Sequence, residues 1–206
     1  MDVRRQEFVA TLAARGDEFG ARLDDARVER LADYFELVER WNTRLHLVAP
    51  CMPREFATRH VLESLSAINY LPAGATFIDV GSGAGLPSIP CLVARDDLSA
   101  VLVEASSKKS VFLGEALRAL GLRERARIVN ARFEAADAPA AQALTCRALE
   151  KFTETLPQLF AWTPPGATLL LFGGQTLRTA IEAITPSCEE HLLPGSERRY
   201  LFIIST

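Results

Sequence analysis

Histidine and cysteine are scarce, three and four in 206 residues, and neither falls into a metal-ligand spacing. The cysteines at 51, 91, 146 and 188 form no C-x-x-C pair, and the histidines at 46, 60 and 191 are equally scattered. No metal site is therefore expected, and the thiols are read as reduced and mostly buried. No apolar run reaches the roughly 18 residues of a membrane span. The stretch Met1-Asp2-Val3-Arg4-Arg5-Gln6-Glu7 lacks the apolar core of a signal peptide, so a soluble cytoplasmic protein is expected. Repeats, low-complexity tracts and flexible linkers are missing too. The net charge of −3 does not advertise a nucleic-acid partner.

A whole-chain sum hides local charge, however. Residues 104–132 carry seven basic residues (Lys108, Lys109, Arg118, Arg123, Arg125, Arg127, Arg132) against three acids (Glu104, Glu115, Glu124). The blander reading of that stretch is solvated helix and loop charge. Hydrophobic residues make up 49% of the chain, enough for one substantial core. A single domain, 1–206, is expected: a helical extension over 1–72 and an α/β core over 73–206.

The first 70 residues read as helical. Leu31, Tyr34, Phe35, Val38, Trp41 and Leu45 keep the spacing of one buried helix stripe. Pro53 opens a further helix carrying His60, Leu62, Leu65 and Ile68, which Pro72 ends. From residue 75 strands and helices alternate. Strands are expected at Thr76–Val80, Ala100–Glu104, Arg127–Asn130, Ala143–Arg147 and Thr168–Phe172. Helices are expected at Leu86–Ala94, Ser107–Leu120, Leu149–Trp162 and Thr176–Ile184. Segments His191–Leu193 and Arg199–Ile204 read as closing antiparallel strands. Repeated βα units imply a mostly parallel sheet covered on both faces, with ligands beyond the carboxyl ends of its strands.

The first such strand end reads Asp79-Val80-Gly81-Ser82-Gly83-Ala84-Gly85-Leu86-Pro87. Glycines at 81, 83 and 85 permit a tight turn and close approach of backbone to a ligand. A dinucleotide fingerprint needs glycine at 86, where Leu86 stands, so no pyrophosphate cradle is expected and a nicotinamide dehydrogenase is disfavoured. Asp79 either accepts from a ligand ammonium or fixes the loop. The second strand ends in Glu104, 23 residues after Gly81, where a carboxylate can accept both hydroxyls of a ribose. Together the two strand ends point to a nucleoside-bearing sulfonium cofactor, S-adenosylmethionine. Phe133 and Glu134, beyond the third strand, flank an adenine or, for Phe133, belong to the core. Arg147, beyond the fourth, pairs with a cofactor carboxylate, an RNA phosphate or nearby structural acids. A nucleophilic role for Cys146 beside it is disfavoured by the Arg147-Ala148 that follows.

These residues resemble the bacterial small-subunit ribosomal RNA guanine-N7 methyltransferases, the RsmG or GidB family, over nearly the whole chain. The resemblance is carried by Trp41-Asn42 with Leu45-His46-Leu47, by Arg59-His60-Val61-Leu62-Glu63-Ser64-Leu65, by Asp79–Pro90, and by Lys108-Lys109 with Val111-Phe112-Leu113. Arg132-Phe133-Glu134, Arg147-Ala148 and Glu197-Arg198-Arg199-Tyr200 extend it. It implies a Rossmann-like class I methyltransferase fold of seven strands with an antiparallel C-terminal strand. It implies S-adenosylmethionine held by Gly81, Leu86, Glu104 with Ala105, positions 133–134 and Arg147. The implied partner is small-subunit ribosomal RNA, with Lys108, Lys109, Arg132, Arg59 and His60 as candidate contacts, and the chain acting as a monomer. The chain departs from the family at His46 (usually Asn), Val48 (Thr), Glu63 (Asp), Phe133 (a small residue) and Gly173-Gly174, where a lysine often follows the fifth strand. A methyltransferase for another base or a small molecule, and a non-catalytic binding module, are the alternatives.

Methylation of guanine N7 needs no general base, because that nitrogen already carries an in-plane lone pair. No catalytic side chain is therefore assigned, Arg147 being the one candidate. Positioning of two reactants and tolerance of moving charge carry the reaction.

Overall fold

The computed structural model describes residues 2–149 and 151–205. Met1, Glu150 and Thr206 lie outside the described residues, and with Glu150 goes one position of the helix expected over Leu149–Trp162.

Helices α1 (Val3–Arg15) and α2 (Asp25–Leu45) form the first layer. Each begins where an aspartate accepts from a first-turn N–H: Asp2 from Arg4 at 3.2 Å, Asp24 from Arg27 at 2.8 Å. In α2 the expected stripe faces inward: Leu31, Tyr34, Phe35 and Val38 are buried, and Trp41 and Leu45 pack on the same core. A helical run over 53–70 follows. It consists of α3 (Pro53–Glu55), a π-helical segment Phe56–Leu62, α4 (Glu63–Leu65) and a 3₁₀ segment Ser66–Tyr70. Pro53 sits in its first turn, as expected, where no N–H is needed.

The strands are β1 (Thr76–Val80), β2 (Ser99–Val103), β3 (Ala126–Val129), β4 (Ala143–Cys146), β5 (Thr168–Gly173), β6 (Glu189–Leu192) and β7 (Tyr200–Ser205). They form one sheet in the order β3-β2-β1-β4-β5-β7-β6. Strands β1 to β5 pair in parallel, and β7 runs antiparallel to both neighbours. The helices between them are α5 (Ser88–Ala94), α6 (Ser107–Ala119), α7 (Phe152–Trp162) and α8 (Gln175–Glu182). Glu104 and Arg147, expected as last strand residues, lie one position beyond β2 and β4. Helix α5 starts at Ser88 rather than Leu86, because the glycine-rich turn runs longer than its sequence suggested.

Period-two alternation divides the sheet between two cores. Phe77, Ala100, Leu102, Leu170, Phe172 and Leu201 join the N-terminal helices, α5 and α6 in one. Ile78, Val101, Val103, Leu144, Leu169 and Phe202 join α7 and α8 in the other. A strand buried on both faces reads as the continuous apolar run seen here. Among the described residues no helix is long and apolar enough to cross a membrane, and no cluster of His, Cys, Asp or Glu is placed to hold a metal ion.

Candidate functional site

Strand order reverses direction at β1, with β2 on one side and β4 on the other. At such a switch point the loops diverge and leave a crevice. Here it is a cavity of about 600 Å³, lined by residues from the turn after β1, the ends of β2 and β4, and the loop after β3.

The turn is built by hydrogen bonds as well as by glycine. The N–H groups of Gly81 and Ser82 donate to Val103 O at 2.9 and 3.3 Å, which draws the turn across the end of β2. Gly81 has φ +72°, and a Cβ there would come within 3.1 Å of Leu149. Gly85 has φ +85°, and a Cβ would collide with the Ile89 side chain, 2.8 Å from its Cγ1. From the other side, the fully buried Tyr34 of α2 donates its hydroxyl to Ala84 O at 2.8 Å. The N-terminal layer thus fixes the turn directly.

Glu104 closes the arrangement. Its Oε2 accepts from Gly83 N–H at 2.8 Å and its Oε1 from Ser106 N–H at 2.7 Å. A carboxylate has about four acceptor sites, so two remain for a ligand. Among the described residues the carboxylate is also the one buried acid that lines the cavity. Ser106 caps α6 through Lys109 N–H at 3.4 Å, and Asn130 donates to Glu104 O at 2.8 Å. The strand end is braced on both sides.

Gly81, Gly83, Leu86, Glu104, Ala105, Lys109, Arg132, Phe133, Glu134, Arg147 and His60 all line this cavity. Asp79, Gly85, Lys108 and Arg59 do not. Asp79 has no exposed surface; it accepts from Ser88 Oγ at 2.6 Å and Thr145 Oγ1 at 3.1 Å, the bonds its loop-fixing reading calls for. Burial pushes its carboxyl up to about 7, against the pull of those hydroxyls. Gly85 serves the turn's geometry. Lys108 is exposed, and Arg59 is exposed and paired with Glu55 at 2.5 Å. Phe133 is 4% exposed and packs edge-on against Trp162, with centroids 5.6 Å apart, so it is a core residue at the cavity wall.

Arg147 is held by the helical run. It donates to Ser64 Oγ at 3.0 Å, His60 O at 3.3 Å and Arg59 O, and pairs with Glu63 at 3.2 Å. Its guanidinium lies 5.6 Å from the centre of the Phe172 ring. Burial draws its pKa down while Glu63 opposes that. Burial also holds His60 near 4, helped by Arg147 and Arg59, so its ring is neutral at pH 7. Cys146 is fully buried, with its thiol pushed well up, and does not line the cavity, an environment that disfavours a nucleophile.

Leu47, Val48, Ala49, Ser106, Leu149 and Thr155 also line the cavity, and the sequence assigned them nothing. Of these, Leu47 lies in a motif the sequence carries and Val48 is one of its departures from the family. Its loop is clamped by Asn42, whose Nδ2 donates to Val48 O and whose Oδ1 accepts from Val48 N–H, both at 3.0 Å. The Trp41-Asn42 pair was the available signal, but a single sequence does not reveal what an asparagine bonds.

Solved methyltransferases share this architecture. A ribosomal protein L11 methylase from Lactobacillus delbrueckii subsp. bulgaricus matches with TM-score 0.58 and 15% identity over 72% of this chain and 79% of that one. An RNA methyltransferase from Salinibacter ruber, solved with S-adenosyl-L-homocysteine, matches with TM-score 0.56 and 17% identity over 70% and 88%. In sequence, the chain is 43% identical over 169 residues to the ribosomal RNA small subunit methyltransferase G of Xanthomonas campestris pv. campestris (strain 8004), covering 82% of this chain and 74% of the relative. It is 35% identical to the namesake enzyme of Neisseria gonorrhoeae (strain NCCP11945), covering 93% and 86%. The family model for rRNA small subunit methyltransferase G matches residues 27–194. A sheet-end cavity with a glycine turn and a braced carboxylate, and relatives alike over most of their length, agree: the chain belongs to the rRNA small subunit methyltransferase G family.

Proposed function

We propose that this chain transfers a methyl group from S-adenosylmethionine to N7 of a guanine in small-subunit (16S) ribosomal RNA, acting as a monomer in the cytoplasm. The observation that carries this reading is Glu104 with two free acceptor sites, set beside Gly81 and Gly83 in a cavity large enough for a nucleoside. The cofactor, when bound, supplies an electrophilic methyl on a sulfonium. Glu104 would hold the ribose hydroxyls, Gly81, Gly83 and Leu86 would contact the cofactor, and Ala105, Phe133 and Glu134 would border the adenine. Asp79 and Gly85 support the turn. Arg147 faces the cofactor's charged end.

The N7 lone pair would take that methyl as the C–S bonding pair stays with sulfur, and no proton would have to leave. The chain's contribution is orientation and a tolerant field, which agrees with the buried, protonated Cys146. Lys108, Lys109 and Arg132 have no ion-pair partner among the described residues and are offered to RNA phosphate, with Arg59 on the neighbouring helix; His60 there is an uncharged RNA contact. Their contribution weakens with salt. We take residues 1–206 as one domain, because Tyr34, Glu63 and His60 of the helical part reach the sheet's own site.

The test is methyl transfer from labelled S-adenosylmethionine to small ribosomal subunits, naked ribosomal RNA and small molecules, with the product mapped by mass. Label on N7 of one guanine is expected. No label on ribosomal RNA in any form would overturn the proposal.

A further inference from the structure

The π-helical segment Phe56–Leu62 stands beside the cavity. Such widened turns are rare and recur at functional sites. This one presents the carbonyls of Arg59 and His60 to Arg147, which donates to both. The backbone of His60 is thereby fixed next to the end of β4, and its ring lines the cavity with Leu47 and Val48.

The two ring nitrogens differ. Nδ1 is sealed from solvent and has no hydrogen-bond partner. Nε2 has no partner among the described residues either, but it is not sealed, and His60 is part of the cavity's lining. A neutral imidazole carries one N–H. Nδ1 is sealed and can reach no ligand, so the tautomer that can donate to one carries the proton on Nε2.

We infer that the Nε2–H of His60 reads the target base, donating to O6 of guanine beside the methylated N7. This rests on the function proposed above and adds how guanine is chosen. Guanine presents N7 and O6 as neighbouring acceptors, whereas adenine carries an amino donor in place of O6. A donor facing a donor rejects adenine. A neutral donor also suits the chemistry better than an imidazolium would, because methyl transfer leaves positive charge on the base. Arg147, Arg59 and the buried position keep the ring neutral.

The experiment compares small-subunit RNA carrying guanine at the mapped site with the same RNA carrying 2-aminopurine there, which keeps N7 and lacks O6. The wild-type enzyme is expected to prefer guanine by about tenfold in kcat/KM, the worth of one hydrogen bond. His60→Leu and His60→Phe, which have no N–H, are expected to lose that preference while binding S-adenosylmethionine with unchanged affinity. His60→Gln, which restores a donor, is expected to recover part of it. Two donor-less variants keep the test decisive should one not fold. Retention of the full preference by a donor-less variant with normal cofactor affinity would overturn the inference. Absence of N7 product from the wild-type enzyme would instead overturn the function on which it rests.

Discussion

Arg147 and Glu63 meet where the helical layer joins the sheet, Nη2 of one 3.2 Å from Oε2 of the other. The second oxygen of Glu63 takes Arg199, at the entry to β7, at 2.8 Å. A single carboxylate, 2% exposed, therefore balances two guanidinium groups from distant parts of the chain. Removing one member of a buried pair strands the charge that remains. Glu63→Gln keeps the volume and discards the charge. Its expected cost is roughly 3 kcal/mol, toward the low end for a broken buried pair because the amide still accepts one bond. That corresponds to a Tm lower by about 6–12 °C for a chain of this size. Thermal melts followed by circular dichroism measure it; an unchanged Tm would show that solvent, not Glu63, neutralises the two arginines.

Glu104 tests the cofactor half of the site. Its oxygens hold the N–H groups of Gly83 and Ser106, so it shapes the turn and offers the acceptors for a ribose at once. Hydrogen bonds to a charged acceptor are worth about 1.5–3 kcal/mol each, so Glu104→Ala is expected to weaken S-adenosylmethionine binding by at least about tenfold. Calorimetric titration reads the affinity, and an unchanged Kd would remove Glu104 from the binding site.

Much of this was legible beforehand, for identifiable reasons. The strands were visible because a sheet buried on both faces needs unbroken apolar runs, and Thr76–Val80 was placed to the residue. The α2 stripe from Leu31 to Leu45 was visible because one face of that helix is buried. The turn was visible because glycine is forced at 81 and 85 by positive φ and by the nearness of Leu149 and Ile89. Contacts between distant segments left no such mark. Nothing local to Tyr34 says that its hydroxyl ends on Ala84, or local to Glu63 that it faces two arginines. The π-helical turn at His60 was equally hidden, since the periodicity of 53–70 fits an ordinary helix. Asp79 was left with two roles because burial alone decides between them.

His46 ends α2 in the left-handed region, at φ 47° and ψ 53°, with its N–H donating to Asn42 O at 3.1 Å. A branched or bulky residue pays a steric cost there that asparagine, like glycine, largely avoids. The side chain is exposed and does not line the cavity at the sheet's end, so its replacement leaves that site unchanged. His46→Asn is expected to stabilise the chain by about 0.5 kcal/mol, or a Tm higher by about 1–2 °C. A lower Tm would mean that the imidazole makes a stabilising contact of its own.

Asp79 makes stability depend on pH in a direction opposite to that of a paired surface acid. Burial raises its carboxyl in the folded chain from the ordinary value of 3.8 to about 7. In the unfolded chain it ionises near its ordinary value, so between about pH 4 and 7 the unfolded state loses a proton that the folded state keeps. The contribution of Asp79 is therefore fully present at the acidic end of that window, declines as pH rises through it, and is flat above. Asp79→Asn cannot ionise and still has one oxygen to accept from Ser88 or Thr145. Other groups tilt the whole curve, so the informative quantity is the Tm of wild type minus that of Asp79→Asn, measured at the same series of pH values. That difference is expected to fall steadily from pH 5 to pH 7.5 and then to level off. A difference that stays constant would mean that Asp79 ionises at its ordinary value and that Ser88 and Thr145 fully stabilise a buried carboxylate.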